Sequence, residues 1–164
     1  MSVFPNEINT LSVILLEKCK AKNIKLATAE SCTGGLIAAA LTEISGSSAV
    51  VDRGFMTYSN EAKQKMLGVK PQTLESFGAV SKEAAIEMAR GAIRRSHAQL
   101  SVAVTGIAGP DGGTSEKPVG LVHIAVKFGR KTLHEKHLFG PLARSEIRLA
   151  TVRAALLMCV RIAS

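Results

Sequence analysis

A polar tip separates an apolar run from a helical pattern near the start of this chain. The apolar run occupies residues 24–29, and the polar tip occupies residues 30–35 with the sequence Glu-Ser-Cys-Thr-Gly-Gly. From Leu36 onward, apolar residues recur at i, i+1, i+4, i+5 and i+8, which places them on one face of a helix. The pattern predicts a strand that turns directly into a helix, with Ser31, Cys32 and Thr33 at the turn.

A hydroxyl or a thiol at such a turn can serve as a nucleophile. The first N–H groups of a helix have no partner within the helix, and the helix dipole favours negative charge there. Those N–H groups can stabilise an oxyanion or bind a phosphate. The structural alternative is an N-cap, because Ser and Thr are common caps and glycine permits close packing of helix and strand. A short Gly/Ser motif alone does not decide between the two.

Apolar runs and helical patterns alternate along the rest of the chain. Strands are predicted at 50–58 and 100–104, and a hairpin at 119–128 and 132–139 with Gly129-Arg130 as its turn. Helices are predicted at about 7–21, 61–67, 71–76 and 145–162, and another begins after Ser81 as its N-cap. This order predicts an α/β layered fold with a mixed sheet and one antiparallel hairpin.

Three of the predicted strands end in polar tips, at residues 30–35, 58–63 and 105–113. Ligands of layered α/β folds bind at the carboxyl ends of the strands. The coincidence of three tips therefore predicts a binding site and favours a functional role for the first tip. The third tip is rich in glycine, so it either cradles a phosphate with its N–H groups or needs glycine only for a tight crossover. It matches neither a Walker A sequence nor the dinucleotide fingerprint.

Ser31 needs a base to act as a nucleophile, and no histidine lies at a polar tip. One histidine follows a helix and three belong to the hairpin: His97, His123, His134 and His137. The G-x-S-x-G elbow is also absent, so a Ser-His-Asp triad is not expected. Lys63, in the second tip, is the better candidate, because a partly desolvated lysine beside a hydroxyl can act as a base. The alternative for Lys63 is an ordinary exposed helix lysine.

Other side chains near the tips admit two interpretations each. Tyr58, the only tyrosine, either contacts a substrate or packs its ring at the end of a strand. Cys32 is a rival nucleophile, because a thiol at a helix N-terminus has a depressed pKa, or it is a small buried residue. Arg144 and Arg148 stand at i and i+4 at the start of the last helix, where one of them can clamp a phosphate.

The composition restricts the class of binding partner and the cellular compartment. The formal net charge is +8, but the basic residues are spread along the chain, and one Tyr and five Phe offer few rings for stacking bases. A small anionic substrate explains the positive charge without a nucleic-acid partner. No apolar run approaches the roughly 18 residues of a membrane span, and the N-terminus does not match a signal peptide. The three cysteines fit neither a disulfide framework nor a metal-ligand spacing, so we expect a cytoplasmic protein with reduced thiols.

The tips together resemble the C-terminal domain of the CinA (competence/damage-inducible) proteins, a family whose members include nicotinamide-nucleotide amidohydrolases. The resemblance covers nearly the whole chain in the expected order. Its segments are residues 28–35 (Thr-Ala-Glu-Ser-Cys-Thr-Gly-Gly), 54–60 (Gly-Phe-Met-Thr-Tyr-Ser-Asn) with Lys63, 78–81 (Gly-Ala-Val-Ser), 104–113 (Val-Thr-Gly-Ile-Ala-Gly-Pro-Asp-Gly-Gly), 118–120 (Pro-Val-Gly) and the region of Arg144.

The resemblance implies a three-layer α/β/α sandwich with a mixed, mostly parallel sheet. It also implies hydrolysis of the carboxamide of nicotinamide mononucleotide to nicotinic acid mononucleotide and ammonia, without a metal or other cofactor. Ser31 would be the nucleophile and Lys63 its proton acceptor, with Tyr58 nearby. The remaining implied residues would donate hydrogen bonds to the oxyanion or hold the nucleotide, with the arginine on its phosphate: Thr33, Gly34, Gly35, Thr105, Gly106 and Arg144.

Many relatives carry an additional N-terminal nucleotide-processing domain. The first predicted strand of this chain begins near residue 24, so we expect one CinA C-terminal-like domain over residues 1–164 without that addition. We also expect a homo-oligomer, since the exposed helices of such folds often pair. Some members of the family have not retained the amidase activity. The alternative function is therefore a catalytically silent nucleotide-binding module on the same fold.

Overall fold

The computed structural model describes residues 1–164 and contains five strands and six α-helices, with a short 3₁₀ turn at Ser47–Ala49. The strands are β1 (Leu26–Glu30), β2 (Val51–Met56), β3 (Leu100–Gly106), β4 (Leu121–Phe128) and β5 (Lys131–Leu138). The helices are α1 (Asn6–Ala21), α2 (Leu36–Thr42), α3 (Asn60–Leu67), α4 (Pro71–Phe77), α5 (Lys82–Arg94) and α6 (Arg144–Ala163). The strand–helix transition at residues 30–36 and the hairpin with its Gly129-Arg130 turn confirm the sequence predictions.

The five strands form one mixed sheet in the order β2-β1-β3-β4-β5. Strand β1 pairs in parallel with β2 and β3, whereas β4 runs antiparallel to both β3 and β5. Four strands therefore share one direction and only β4 opposes them. Because β5 runs the same way as β3, it ends at the same edge of the sheet as β1, β2 and β3. That edge receives the three polar tips and the start of α6.

Helices cover both faces of the sheet, which confirms the three-layer α/β/α arrangement. Helices α1, α2 and α6 pack on one face and α5 packs on the other, with α3 and α4 against α5. Alternate residues of β3 enter different cores: Val102 and Val104 join the α6 side, whereas Ala103 joins the α5 side. Small alanines on the α5 side let that helix approach the sheet closely. None of the helices combines the length and apolar content required to span a membrane.

Two serine caps and one close contact fix the helices that border the site. The Ser81 hydroxyl accepts a hydrogen bond from the Ala84 N–H, which confirms the predicted cap of α5. The Ser59 hydroxyl caps α3 in the same way, by accepting from the Ala62 N–H. Gly91 of α5 lies so near α3 that a Cβ atom there would stand 2.0 Å from the Leu67 carbonyl oxygen. The position of α3 on α5 therefore requires a residue without a side chain at Gly91.

Candidate active site

A cavity of about 270 Å³ opens at the edge of the sheet where β1, β2 and β3 end. The three polar tips meet there, as the sequence predicts, and the first residue of α6 joins them. The cavity also receives the loop that precedes α5, which follows from the packing of α5 beside β3. Its lining consists of Ser31, Cys32, Tyr58, Asn60, Lys63, Ala79, Val80, Thr105, Gly106, Ile107, Ala108, Gly109, Asp111, Gly112 and Arg144.

A buried amine and a hydroxyl lie in contact at the base of the cavity. The Nζ atom of Lys63 is 3.0 Å from the Oγ atom of Ser31, and the two residues are 1% and 8% exposed. The same amine donates to the carbonyl oxygens of Thr57 at 2.8 Å and Tyr58 at 3.3 Å. None of these three partners carries a negative charge, so burial lowers the pKa of Lys63 below its ordinary value. The structure thus excludes an exposed lysine at this position.

The backbone on both sides of Ser31 fixes the hydroxyl in this place. The Ser31 N–H donates to the Val104 carbonyl at 3.1 Å, which ties the residue to β3. The Thr57 N–H donates to the Glu30 carbonyl at 2.8 Å, which continues the pairing of β1 with β2 one residue past the end of β2. Lys63 follows in the first turn of α3 and points back toward β1. Three adjacent strand ends thus bring together groups 32 residues apart in sequence.

Residues 31–35, which we call the Ser31 turn, are held by the carboxylate of Glu30. This side chain is 1% exposed and accepts hydrogen bonds from the Thr33 hydroxyl at 2.7 Å, the Ile37 N–H at 2.8 Å and the Ala38 N–H at 3.0 Å. The first free N–H groups of α2 are therefore already bonded within the protein. The sequence suggested these groups as anion donors, and the structure corrects that expectation.

The three residues of the Ser31 turn that were expected to donate to the substrate lie outside the cavity lining. Thr33 is fully buried, and its hydroxyl donates to Glu30. The Gly34 N–H donates to the Ser31 carbonyl at 3.0 Å, and Gly35 adopts a left-handed φ of 101° before α2 begins. Cys32 does line the cavity, and its N–H has no oxygen acceptor in the protein. Of the two residues of the turn that line the cavity, Ser31 and Cys32, only Cys32 has an N–H group without an oxygen acceptor.

The thiol of Cys32 is not the reactive group that a helix N-terminus would produce. The side chain is 5% exposed, and burial raises the pKa of the Cys32 thiol to about 11. A group with that pKa remains a neutral thiol near pH 7, and only thiolates are effective nucleophiles. The geometry therefore favours the Ser31 hydroxyl, which has an amine in contact with it.

The guanidinium of Arg144 bridges the mouth of the cavity. It donates to the Gly109 carbonyl at 2.7 Å and to the Tyr58 hydroxyl at 3.1 Å. Tyr58 is 62% exposed, so its ring stands at the mouth with its hydroxyl on Arg144. Arg144 reaches this place because β5 ends at the edge of the sheet that carries the tips. The structure thus brings Arg144 and Tyr58 together with the Ser31–Lys63 pair around one cavity.

Thr105 and Gly106, the first two residues of the third tip, form one wall of the cavity. The Thr105 hydroxyl donates to the Ala79 carbonyl at 2.7 Å and thereby fixes the loop that precedes α5. A Cβ atom on Gly106 would stand 2.6 Å from a Val122 methyl group, so only glycine fits there. The N–H groups of the adjacent Ala108 and Gly109 have no acceptor in the protein, although both residues are buried and line the cavity.

Sequence reasoning missed the function of two charged side chains near the Ser31 turn. The sequence predicts no role for Glu30, and for Arg144 or Arg148 it predicts a phosphate clamp. In the structure Arg148 donates to the Cys32 carbonyl at 3.1 Å and to the Thr33 carbonyl at 3.0 Å. One feature of the sequence does point to a role for Arg148: an arginine in the first turns of α6 opposes the helix dipole, so helix stability does not explain its position. No histidine lines the cavity, and His123 instead pairs with His134 at 2.9 Å on the hairpin.

Comparison with known proteins gives the family of this fold and site. The family model of the CinA C-terminal domain matches residues 8–162. This chain belongs to the CinA C-terminal domain family. The crystal structure of the competence/damage inducible protein CihA from Agrobacterium tumefaciens superposes with a TM-score of 0.99 at 56% identity, over 100% of both chains.

Relatives of this CinA domain carry two kinds of name. A putative competence-damage inducible protein of Acetivibrio thermocellus is 49% identical over 152 residues, which are 92% of this chain and 36% of that protein. The chain thus spans about a third of the length of the first curated relatives it matches. The nicotinamide-nucleotide amidohydrolase PncC of Enterobacter agglomerans is 50% identical over 144 residues, which are 87% of each chain.

Proposed function

We propose that this CinA domain hydrolyses the carboxamide of nicotinamide mononucleotide, with Ser31 as the nucleophile and Lys63 as the base. The observation that carries the proposal is the buried Lys63 amine, 3.0 Å from the Ser31 hydroxyl at the base of a cavity. The substrate class is supported by the name of the Enterobacter agglomerans relative, a nicotinamide-nucleotide amidohydrolase. A net charge of +8 also favours an anionic substrate.

The first half of the reaction forms an ester on Ser31. Lys63 in its neutral form accepts the hydroxyl proton while Oγ attacks the carboxamide carbon and the C=O electron pair moves to oxygen. The N–H of Cys32 is the candidate donor to that oxyanion, since it lines the cavity without an oxygen acceptor. When the intermediate collapses, the C–N bond breaks and Lys63 returns the proton to the leaving nitrogen, which departs as ammonia.

The second half of the reaction releases the acid. Water attacks the ester carbon while Lys63 again accepts a proton, now from the water. The C–O bond to Ser31 then breaks, and Lys63 returns the proton to Oγ. The product is nicotinic acid mononucleotide, and the enzyme is restored. The low pKa that burial imposes on Lys63 suits both proton transfers, because it raises the neutral fraction near pH 7.

We propose that the mouth of the cavity holds the nucleotide portion of the substrate. Arg144 would exchange its bonds to Gly109 and Tyr58 for the phosphate, and the free N–H groups of Ala108 and Gly109 would complete the anion site. In this proposal Tyr58 bounds the mouth. The wall formed by Thr105 and Gly106 bounds the nucleotide from the other side, while Thr33, Gly34 and Gly35 shape the Ser31 turn without touching the substrate.

The proposal is tested by the release of ammonia and nicotinic acid mononucleotide from nicotinamide mononucleotide, measured for wild type, S31A and C32A. We expect turnover by wild type, loss of turnover in S31A and retention of most of it in C32A. Loss in C32A alone would assign the nucleophile to the thiol. Binding of the nucleotide by wild type without turnover would instead identify a silent nucleotide-binding module.

A further inference from the structure

We infer that Arg148 is a positioning residue that, together with Glu30, holds the Ser31 turn in the geometry from which Oγ attacks. This inference rests on the proposed function for its kinetic consequences. The structural part concerns only the conformation of residues 31–35. Arg148 does not line the cavity and makes no hydrogen bond to Ser31 or Lys63. Its effect on the nucleophile must therefore pass through the backbone of the turn.

Arg148 fixes two consecutive peptide planes. Its Nε atom donates to the Cys32 carbonyl at 3.1 Å, and its Nη2 atom donates to the Thr33 carbonyl at 3.0 Å. A peptide unit is planar with its C=O and N–H on opposite sides. Bonding the Cys32 carbonyl therefore sets the direction of the Thr33 N–H. Bonding the Thr33 carbonyl likewise sets the Gly34 N–H, which donates to the Ser31 carbonyl at 3.0 Å.

Glu30 holds the same turn through its donors. The carboxylate accepts from the Thr33 hydroxyl and from two N–H groups of α2, and it has no ion-pair partner in the structure. The guanidinium thus binds the carbonyl groups of the turn, whereas the carboxylate binds the donors that follow it. Burying a carboxylate costs free energy, and the three local hydrogen bonds offset part of that cost. The same bonds make the turn rigid.

The two arginines at the start of α6 contact different parts of the site. Arg144 faces the cavity, whereas Arg148, one turn later, is half-buried and its Nε and Nη2 atoms are bonded to the Ser31 turn. Gly34 makes room for that contact, because a Cβ atom there would lie 3.2 Å from Nη2 of Arg148. Helix α6 therefore joins the proposed phosphate site to the backbone that carries the nucleophile.

The kinetic test uses R148K, with R153K as the matched control on the same helix. A lysine keeps the charge but offers one nitrogen on a flexible stem, so it cannot hold the two carbonyls in the planar bidentate geometry of the guanidinium. Arg153 makes an exposed ion pair with Glu7 away from the cavity. We expect R148K to lower kcat about 10- to 100-fold with KM for nicotinamide mononucleotide nearly unchanged, since small misplacements cost rates of that order. E30Q should lower kcat likewise, and R153K should match wild type.

A second measurement does not depend on the substrate. Exchange of the Gly34 amide hydrogen and phosphonylation of Ser31 by a small uncharged fluorophosphonate, which loses fluoride as the Oγ–P bond forms, are followed by mass spectrometry in wild type, R148K and R153K. We expect faster exchange and slower modification in R148K alone. E30Q provides the same comparison from the other side of the turn if R148K folds poorly.

The outcomes separate the inference from the proposed function. Faster Gly34 exchange in R148K, in a protein whose wild type does not turn over the nucleotide, would support the positioning role while the proposed function fails. Unchanged exchange and unchanged kcat in R148K, in an active enzyme, would overturn the positioning role and leave the proposed function intact. A rise in KM alone would overturn it as well, because it would make Arg148 a substrate-binding residue.

Discussion

The Lys63 amine and the Ser31 hydroxyl form a buried pair at 3.0 Å with no carboxylate bonded to the amine. A buried lysine usually has an acidic partner, which holds it in the charged form. Here its other partners are the main-chain carbonyls of Thr57 and Tyr58, so desolvation acts without opposition from a bonded anion. This arrangement is suited to accepting a proton from Ser31, and four experiments follow from it and from its surroundings.

Replacing Lys63 by arginine should remove the base and keep the charge. Arginine remains protonated at all accessible pH values, so it cannot accept the Ser31 proton. We expect kcat to fall by about 100- to 10,000-fold, the usual contribution of general acid–base catalysis. The control is K65R, because Lys65 on the same helix is exposed and pairs only with Glu61. A K63R enzyme with wild-type kcat would eliminate Lys63 as the base.

The pH dependence of the rate and of the stability should report the lowered pKa of Lys63. In the proposed mechanism the neutral amine is the base, so kcat/KM should rise with pH and level off at a pH below the ordinary lysine value of 10.5. Between the lowered pKa and 10.5 the unfolded chain binds more protons than the folded one. The free energy of unfolding should therefore increase with pH across that window.

The stability part of this expectation is measured by urea unfolding of wild type and K63M at several pH values. K63M has no titrating group at the site, so its free energy of unfolding should change less with pH in the same window. The exposed K65M variant serves as the control and should follow wild type. Equal pH dependence in K63M and wild type would show that Lys63 does not titrate as burial requires.

Removing Arg144 should weaken the binding of the phosphate and spare substrates that lack one. We expect R144A to raise KM for nicotinamide mononucleotide about 10- to 100-fold, the value of a hydrogen-bonded charge pair. KM for nicotinamide riboside, measured in the same assay, should change little. Because both substrates are measured with the same R144A protein, a loss of folded enzyme affects both equally and does not change the ratio of the two KM values. Equal losses for both would remove Arg144 from the phosphate site.

Alanine at Gly91 should displace α3 and with it Lys63, the proposed base. Helix propensity alone favours alanine by about 0.8–1.0 kcal/mol, but the added Cβ atom would stand 2.0 Å from the Leu67 carbonyl oxygen. We expect a net destabilisation of about 1–3 kcal/mol, measured by thermal or urea unfolding, together with a fall in kcat. G129A, in a turn with open space around it, should lose stability without losing kcat. A stabilised G91A would contradict the packing of α3 on α5.

The sequence was sufficient to predict the strands, the hairpin and the meeting of three polar tips, because each depends on local periodicity and on the common direction of parallel strands. It also selected Lys63 over the histidines, since residues at strand ends share one edge. It did not reveal that Glu30 bonds the first N–H groups of α2, which depends on a buried side-chain rotamer. Nor did it reveal Arg148, whose partners Cys32 and Thr33 precede it by more than 110 residues.

The direction of β5 determines when, during folding, the site becomes complete. The hydrogen-bonded pair of Ser31 and Lys63 lies within the first 63 residues, whereas the two guanidinium groups, at the mouth of the cavity and on the Ser31 turn, belong to Arg144 and Arg148. Contacts of such long sequence separation carry a large loop-closure cost and form late. A chain emerging from the ribosome thus contains Ser31 and Lys63 well before it contains Arg144 and Arg148, and the cavity is complete only when α6 docks.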